Sequence, residues 1–583
     1  MKQENPIITE KNQEELKRDA KIRELWMKNI CDHDKHAKFK TKEIYDFIIV
    51  GAGTAGCVLA RELIHGIPNI NILVLEAGGP DAHSNGLINL PCTWFKTFQV
   101  ADNDWGYVTQ EQKVRSRVNP TKEILRKGLF YPRGKGYNDW AAQGPEYKIW
   151  DWDHCLEAFK ATENNSRDKP DEKFKQLHGF NGLLHVQDCH NGLYDVMPGF
   201  IDAAKSLGIP YNEDFNGERQ NGVGTYQFTN KEGRRCSLAE GYLKDALKKV
   251  ELHSGSDPYE FGKIVAVDIR SYAHVLDIIW DEKNEKENIA IGAFIAPKGE
   301  VILCGGAINS PQILMLSGIG PKENLEANNI KVRKELPVGR NLWDHPSCLF
   351  AAKANPDEIH HWSSGSEIGI MHKANVEGKI PCKEDFFDDN PDMQIIVTPY
   401  RTGFIKELSN HKISGTIMLT VLNNPSSVGY LELNSNNPFD KPRLHLNYFE
   451  KSVDLYRMVS SLKLCREILK QPPLSTVYNV KEVGINDEYG QWSTNGDDIS
   501  DEDWEKFVVE RATTTFHSSG TVKMAPESKD GVVNHRLQVY DTKNLRVVDA
   551  SIFPYIPSGN TNAATTMVAW RASRLIIEDY IKK

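Results

Sequence analysis

The chain has 583 residues, of which 40% are hydrophobic and 26% charged, and its formal net charge is −9. This length exceeds a single hydrophobic core, so two or more domains are expected, and the composition excludes a disordered or collagen-like chain. The negative charge, without a dense run of Lys and Arg, argues against nucleic acid as a partner. The sequence contains no apolar stretch long enough to span a bilayer and no segment typical of a signal peptide, so we expect a soluble protein with the cytoplasm as its default location.

Residues 1–43 are hydrophilic and are predicted to form an N-terminal extension. This extension contains Cys31, His33 and His36, but the surrounding Lys and Asp residues and the lack of a fourth ligand nearby favour a solvated tail, and no metal is predicted. The ten cysteines of the chain include no CxxC pair. They are expected to be buried or neutral thiols in a reducing compartment.

The first predicted folding unit begins with the apolar run that starts at Tyr45 and leads into Gly51, Gly53 and Gly56. An amphipathic segment follows, ends at a Gly and a Pro, and gives way to a second apolar run that ends at Glu76. This order of strand, glycine turn, helix, strand and acid is typical of a dinucleotide-binding unit, with the phosphates at the helix N-terminus and a ribose hydroxyl on the acid. The glycines fit FAD and NAD equally.

Two further continuous apolar runs, VILCGG over 301–306 and LRVVDA over 545–550, are typical of strands buried on both faces of a parallel sheet. Between them, the runs MQIIVTPY, ISGTIMLTVLN and VGYLELN within 393–434 alternate more and predict antiparallel strands. The predicted fold class is therefore α/β, mixed α+β overall. It combines a Rossmann-like parallel-sheet domain, which the chain leaves and re-enters, with a second domain built on an antiparallel sheet.

Near the C-terminus, a flexible turn over 557–562 precedes an apolar-periodic segment that begins near Ala564. A helix that starts there directs N–H groups and its positive dipole end at whatever lies before it, which suits an anionic group. Asp549 and Ala550 end a predicted strand, where α/β sheets bind ligands. His517 lies in a Ser/Thr/Gly-rich segment, and from the residues alone it could be structural or catalytic.

The segment GAINSPQILMLSGIG, from Gly306 to Gly320, resembles the second signature of the glucose–methanol–choline (GMC) oxidoreductases, which are FAD enzymes that act on alcohols. Further blocks follow the order that this family shows. They are GAGTAG with LEAGG within 51–79, PVGRNLWDH at 337–345, SSVGYLELNSNNPFDKPRLHLNYF from 426, HSSGTVKM at 517–524 and LRVVDASIFPYIPSGNTNAATTM at 545–567. The resemblance covers about residues 44–580.

The resemblance implies FAD as the cofactor and a small-molecule alcohol as the substrate, which is oxidised to a carbonyl by hydride transfer to flavin N5, with oxygen or a quinone-like compound as the electron acceptor. It implies that His517 is the general base, because an imidazole can take a hydroxyl proton near neutral pH. Asn560 matches the second catalytic position, where an amide can donate to an alkoxide-like oxygen, although it could also cap the helix. The implied cofactor-binding residues are Gly51, Gly53, Thr54, Ala55, Gly56, Glu76 and Ala77 at the ADP end, and Asp549, Ala550 and Asn562 near the pyrophosphate and the isoalloxazine.

The predicted division of the chain has four parts. They are the extension over 1–43, an FAD-binding domain over 44–345, a substrate-binding antiparallel-sheet domain over 346–510, and a return to the FAD domain over 511–583 that carries the catalytic pair.

The chain departs from the family pattern in three places, one of which is Trp570-Arg571, where the family has an acidic-basic pair after the last block. The segment YPRGKGYNDW at 131–140 lacks the Gly/Ser-rich loop that lines the flavin, which would follow Lys135. Residues 250–298 match poorly where relatives place a valine beside the adenine. Two interpretations therefore stay open: an active alcohol oxidoreductase, and a catalytically impaired or non-catalytic homologue that acts as a binding protein.

Overall fold

The computed structural model describes most of the chain between residues 45 and 582. The described residues are 45–79, 105, 107–110, 112–115, 123–126, 137–188, 196–232, 234–247, 266–290, 295–353, 367–387, 390–401, 414–482 and 499–582. The predicted N-terminal extension, with Cys31, His33 and His36, lies outside the described residues. The segment around Lys135, from which the flavin-lining loop is expected to be missing, also lies outside them.

The described part of the chain contains strands that belong to two large sheets and several short ribbons. In chain order they are β1 (Tyr45–Val50), β2 (Asn71–Leu75), β3 (Gln112–Arg115), β4 (Glu123–Arg126), β5 (Glu163–Asn165), β6 (Leu184–Val186), β7 (Gly222–Thr225), β8 (Asn230–Lys231), β9 (Arg234–Arg235), β10 (Ala266–Arg270), β11 (Ile295–Leu303), β12 (Ile319–Gly320), β13 (Lys334–Glu335), β14 (Pro346–Lys353), β15 (Ile368–His372), β16 (Met393–Arg401), β17 (Ser414–Leu422), β18 (Tyr430–Glu432), β19 (Arg443–His445), β20 (Lys481–Glu482), β21 (Thr513–Thr514) and β22 (Leu545–Val547).

The first large sheet has five parallel strands in the order β10-β2-β1-β11-β22. In the middle of β1, Ile48 pairs with Leu73 on one side and with Val301 on the other. The last four residues of β1 are buried, as expected for the apolar run of a central strand. The run at 301–306 begins with the last three residues of β11, and the run at 545–550 begins with β22, so the prediction of a parallel sheet that the chain leaves and re-enters is confirmed.

The second large sheet is antiparallel and has the order β20-β14-β17-β16-β15-β7, with β21 also paired to β14. The alternating runs at 393 and 413 form β16 and β17, which pair along their whole length from Met393 opposite Leu422 to Arg401 opposite Ser414. The antiparallel sheet is therefore confirmed. Strands β7 and β21 come from outside the 346–510 stretch, and the predicted domain bounds themselves stay a prediction.

The run VGYLELN, predicted as an antiparallel strand, forms β18, which pairs antiparallel with β19 in a separate two-stranded ribbon. Asp454 holds the turn before it, because its carboxylate accepts hydrogen bonds from the backbone N–H groups of Ser426 and Ser427 at 2.8–2.9 Å. Gly429 then pairs with Leu342, just before β14. The ribbon is thereby tied to the segment that leads into the antiparallel sheet, and it does not extend that sheet.

The helices lie between the strands and at the C-terminus. They are α1 (Thr54–Gly66), α2 (Tyr137–Ala141), α3 (Trp152–Thr162), α4 (Glu172–Leu177), α5 (Val196–Ser206), α6 (Gly306–Leu316), α7 (Lys322–Ala327), α8 (Ser452–Lys470), α9 (Asp501–Arg511) and α10 (Thr561–Lys582). Helix α1 ends at Gly66, as its Gly and Pro predict, and α10 begins three residues before Ala564. None of the helices in the described part of the chain combines the length and the apolar composition needed to cross a bilayer.

A buried ion network joins the parallel sheet to the C-terminal helix. The side chain of Arg546 in β22 is 1% exposed, and it donates to Glu300 of β11 at 2.5 Å and to Asp579 of α10 at 2.6 Å. Arg536 donates to the same Asp579 carboxylate at 2.6 Å. Because the partners come from β11, β22 and α10, the network fixes the sheet edge and the helix that begins beside it.

Candidate active site

A cavity of about 380 Å³ lies along the carboxyl ends of all five parallel strands, the edge at which open α/β sheets bind ligands. Its walls come from the residues that follow each strand. The walls include Gly51, Gly53, Thr54, Ala55, Glu76 and Ala77 after β1 and β2, Ala273, His274 and Val275 after β10, Cys304, Gly305, Gly306 and Ala307 after β11, and Asp549 and Ala550 after β22. The structure thus brings eight of the ten predicted cofactor-binding residues to one cavity.

The glycine turn after β1 forms a cradle that larger residues would block. Gly51 has φ +107°, and a Cβ there would lie 2.5 Å from the Cys304 carbonyl oxygen. A Cβ on Gly56 would lie 1.9 Å from the Gly51 carbonyl oxygen, so the start of α1 can approach the turn only without it. Gly53 differs, because a Cβ there would meet nothing within 4 Å and would project into open space. The backbone at Gly53 is therefore open to a ligand in the cavity.

The N-termini of helices α1, α6 and α10 meet at this cradle. Gly53 and Gly305 precede α1 and α6, so neither helix is capped by the side chain of its N-cap residue, although the Asp549 carboxylate accepts from the first N–H group of α6, at Gly306. Thr54 at the start of α1 donates to the Asn562 side-chain oxygen at the start of α10 at 2.7 Å. Open N–H groups at helix N-termini bind phosphate oxygens, so this corner of the cavity fits a pyrophosphate.

The Glu76 carboxylate is held at the end of β2 by two backbone groups. One oxygen accepts from Ala52 N–H and the other from Gly78 N–H, both at 2.7 Å. Each carboxylate oxygen has a second lone pair, which leaves capacity to accept from a ligand hydroxyl.

Asp549 lines the cavity, but its carboxylate is already engaged by protein groups. One oxygen accepts from Gly306 N–H at 2.9 Å and from the Ser310 hydroxyl at 2.6 Å, and the other accepts from Ser551 N–H at 2.8 Å. Burial raises the pKa of this carboxyl, while these hydrogen bonds act in the opposite direction. The geometry makes Asp549 an anchor for the turn that begins α6.

His517 and Asn560 come together at the β22 end of the cavity. Asn560 Nδ2 lies 3.2 Å from His517 Nε2, and the chain neighbours Phe516, Ser518 and Thr561 line the cavity. Pairing of β21 with the first residues of β14 brings His517 beside the end of the 337–345 block. The two predicted catalytic side chains, 43 positions apart in the sequence, are thus in direct contact.

His345 is a third member of this cluster that the sequence interpretation did not assign. It is fully buried, and its Nδ1 lies 2.5 Å from His517 Nδ1, with the two rings nearly perpendicular. The Thr515 hydroxyl lies 2.9 Å from His517 Nδ1 and 3.2 Å from the His345 carbonyl oxygen. His345 is the last residue of the PVGRNLWDH block, and its place in that block is the sequence signal that could have identified it as a site residue.

Phe516, next to His517, has an unusual backbone conformation. Its φ is +63°, which is rare for a bulky residue, and its N–H donates to the Thr514 hydroxyl at 2.9 Å. The residue is 49% exposed and lines the cavity. Such strain persists only where surrounding contacts impose it, and here it fixes the direction in which the chain enters His517.

Comparisons with known proteins agree with this architecture. Residues 129–347 match the N-terminal model and residues 425–569 the C-terminal model of the family described as GMC oxidoreductase. The chain is 30% identical to the alcohol dehydrogenase [acceptor] of Pseudomonas putida, over 92% of this chain and 96% of that protein. It is 32% identical to an oxygen-dependent choline dehydrogenase of Chromohalobacter salexigens, over 90% and 93% of the two chains.

Among solved structures, formate oxidase from Aspergillus oryzae RIB40 has the same fold, with a TM-score of 0.73 at 22% identity over 93% of this chain and 99% of that one. Pyridoxine 4-oxidase from Mesorbium loti gives a TM-score of 0.69 at 21% identity over 91% and 98%. The two family models together span more than half of the sequence, and the cradle fits a dinucleotide. The chain therefore belongs to the GMC oxidoreductases, and its cofactor is FAD.

Proposed function

We propose that the protein oxidises the CH–OH group of an alcohol to a carbonyl, with His517 as the general base. The observation that carries this proposal is the contact between His517 Nε2 and Asn560 Nδ2, 3.2 Å apart beside the β22 end of the cofactor cavity. FAD, when bound, supplies the hydride acceptor at its N5 atom.

The order of groups along the cavity supports an orientation of the cofactor. Glu76 lies at the end of β2, and its carboxylate suits the ribose of the adenosine. Ala550 and Phe516 lie at the opposite end, beyond β22. With the adenosine on the β2 side, the flavin ring is directed toward His517.

The hydrogen bonds around His517 favour one tautomer. An amide N–H of Asn560 donates to Nε2, so that nitrogen bears the lone pair. The proton then resides on Nδ1, which faces His345 Nδ1 and the Thr515 hydroxyl. Nε2 is therefore the atom that takes the substrate hydroxyl proton, and Nδ1 of the buried His345 accepts from His517 Nδ1–H.

Asn560 has a complementary role at the same point. A substrate hydroxyl oxygen between His517 and Asn560 gives its proton to Nε2 and accepts from the amide N–H. The amide then stabilises negative charge as it develops on that oxygen.

The names of the relatives support an alcohol as the substrate, since one is an alcohol dehydrogenase and another a choline dehydrogenase. We infer a small-molecule alcohol as the electron donor. The electron acceptor is proposed to be oxygen or a quinone-like compound.

Replacement of His517 by Ala tests the proposal directly. The variant is expected to retain FAD but to lose flavin reduction by alcohol by about 10²–10⁴-fold, because the hydroxyl proton has no acceptor. Bleaching of the flavin absorbance is followed by stopped flow without oxygen. His65→Ala, at the exposed end of α1, is the matched control and should reduce at the wild-type rate. Equal rates in wild type and His517→Ala would contradict the assignment.

The second interpretation, a flavoprotein without turnover, is motivated by the sequence YPRGKGYNDW, which lacks the Gly/Ser-rich loop. It predicts FAD that stays oxidised under anaerobic conditions with a panel of primary, secondary and aromatic alcohols. Reduction by any of them excludes it.

A further inference from the structure

The side chain of Asn341 joins the three stretches of chain that meet at the proposed catalytic cluster. Asn341 lies in the block that ends at His345. Its Nδ2 atom donates to the Gly520 carbonyl at 3.2 Å, three residues after His517. It also donates at 3.2 Å to the carbonyl of Pro554, in the stretch that leads into α10. One amide of the first stretch therefore bridges the other two.

The orientation of this amide is fixed by groups that can act in only one way. The indole N–H of Trp343 can only donate, and it lies 2.9 Å from Asn341 Oδ1. The carbonyls of Gly520 and Pro554 can only accept, so they face the two N–H groups of Nδ2. The amide thus uses its oxygen and both of its donors, and a side chain of the same shape with fewer donors cannot replace it.

The backbone around the amide has the shape that this contact needs. Asn341 has φ +58° and Gly520 has φ +84°, both in the left-handed region. A Cβ on Gly520 would lie 2.4 Å from the Asn341 carbonyl oxygen and 2.8 Å from its Nδ2. A residue larger than glycine at position 520 would therefore separate the two stretches.

The amide also lies where the second and third stretches begin to pair. Backbone hydrogen bonds join these stretches from Gly520 onward, as the chain leads away from His517. The third stretch then turns back, and the Asn341 amide holds Pro554 beside Gly520, where the pairing begins. Six residues later the chain reaches Asn560, whose Nδ2 lies 3.2 Å from His517 Nε2.

We propose that Asn341 is a positioning residue, whose amide sets the separation of His517 and Asn560. Asn341 is not among the described residues that line the cofactor cavity, so it acts through the backbone of the two stretches that it bridges. The inference rests on the proposed function, in which the substrate hydroxyl lies between these two side chains. A misplacement of about 1 Å can lower a rate about 100-fold, so a looser connection should slow flavin reduction.

The experiment compares flavin reduction by alcohol in FAD-bound wild type, Asn341→Gly and Asn341→Asp. Glycine keeps the left-handed backbone and removes the amide. Anaerobic stopped flow over a range of alcohol concentrations separates the limiting rate from the apparent affinity. The limiting rate should fall about 10–100-fold in Asn341→Gly, while the apparent affinity for the alcohol and the FAD content stay close to wild type.

Asn341→Asp is the second variant, because it keeps the shape of the side chain and the acceptor for the Trp343 indole. Ionised or protonated, its carboxyl offers at most one donor where the amide offers two. Its limiting rate should therefore fall in the same direction as that of Asn341→Gly, without any change in side-chain volume. This variant also tests the proposal if Asn341→Gly does not fold.

Asn288→Gly is the matched control. Asn288 also has a left-handed backbone, with φ +44°, and its Nδ2 donates to the Asp541 carbonyl at 3.3 Å. This contact lies before the start of β22, whereas the cavity lies at the carboxyl ends of the strands. The control should reduce its flavin at the wild-type rate.

A wild-type limiting rate in both Asn341 variants overturns the proposal. So does a fall that is accompanied in both variants by loss of FAD or of alcohol affinity, because it would mean a general structural role. His517→Ala keeps the two proposals apart. Slow reduction in His517→Ala with wild-type reduction in the Asn341 variants removes only the role of Asn341, whereas wild-type reduction in His517→Ala removes the proposed function.

Discussion

The two ends of the cavity are built in different ways. The cradle comes from one continuous stretch, 51–76, and works through backbone N–H groups and through the absence of Cβ atoms. The end proposed as catalytic uses side chains from three separate stretches, which supply His345, His517 and Asn560. A local motif therefore forms the nucleotide cradle, whereas the pairing of distant strands assembles the groups that we propose for proton transfer. Substitutions in the cradle should therefore affect stability and FAD binding, whereas substitutions at the other end should affect the rate of flavin reduction.

The largest effect is expected for Gly51→Ala in the cradle. Its φ of +107° is strained for any residue with a Cβ, and that Cβ would lie 2.5 Å from the backbone oxygen of Cys304. Strain and overpacking together should lower the free energy of unfolding by about 4 kcal/mol, and FAD should be lost. The measurements are urea unfolding and the FAD content of the purified protein.

Gly53→Ala is the matched control for this prediction. Gly53 has φ −73°, and its Cβ would meet no protein atom within 4 Å. The stability of the variant should stay within about 1 kcal/mol of wild type, while FAD binds more weakly because the Cβ occupies the space of the ligand. Equal stability losses in the two variants would contradict the distinction between a fold-forming and a ligand-facing glycine.

The next effect is expected for His345, which we predict to position His517. His345→Leu removes the ring nitrogen that lies 2.5 Å from His517 Nδ1, although the Thr515 hydroxyl remains as a second partner. The limiting rate of flavin reduction should fall roughly 10–100-fold, while the apparent affinity for the alcohol and the FAD content change little. Anaerobic stopped flow over a range of alcohol concentrations separates the limiting rate from the affinity.

His345→Asn is the conservative partner of that variant, because its side-chain oxygen can occupy the place of Nδ1 and accept from His517. We expect it to recover most of the rate. A purely structural role for His345 predicts instead that both variants lose stability and FAD together, with no selective recovery in His345→Asn.

The same contrast explains which parts of the fold and of the candidate site could be predicted from the sequence. The unit from β1 to β2 follows the sequence closely, including the end of α1 at Gly66, because periodicity and glycine chemistry act within a few residues. His345 could not be assigned in this way, because its approach to His517 depends on pairing of β14 with β21 across the antiparallel sheet. The run at 428–434 forms an antiparallel strand as predicted, but its place in a separate ribbon could not be predicted from the run itself, because the carboxylate that holds the turn before it belongs to Asp454, well beyond the run.

The smallest effect on turnover is expected far from the cavity, at His178. This residue is 3% exposed, and its ring nitrogens lie 3.0 Å from Glu163 and Asp214. Burial opposes its charge, but the hydrogen bonds to Asp214 and Glu163 outweigh that and raise the pKa of His178 to about 9. This pKa exceeds the value of about 6.5 expected in the unfolded chain. The contribution of protonated His178 to the free energy of unfolding is therefore complete below about pH 6.5 and is lost as pH rises through about 9.

Urea unfolding of wild type and His178→Gln at several pH values measures this contribution. At pH 7 the variant should be less stable by about 2 kcal/mol, and the difference should shrink toward zero by about pH 10 as wild-type His178 loses its proton. Turnover of the folded variant at pH 7 should match wild type, because the hydrogen-bond partners of His178, Glu163 and Asp214, are not among the described residues that line the cofactor cavity. A stability difference that stays constant with pH would mean that His178 contributes by packing on Phe174 and not by its charge.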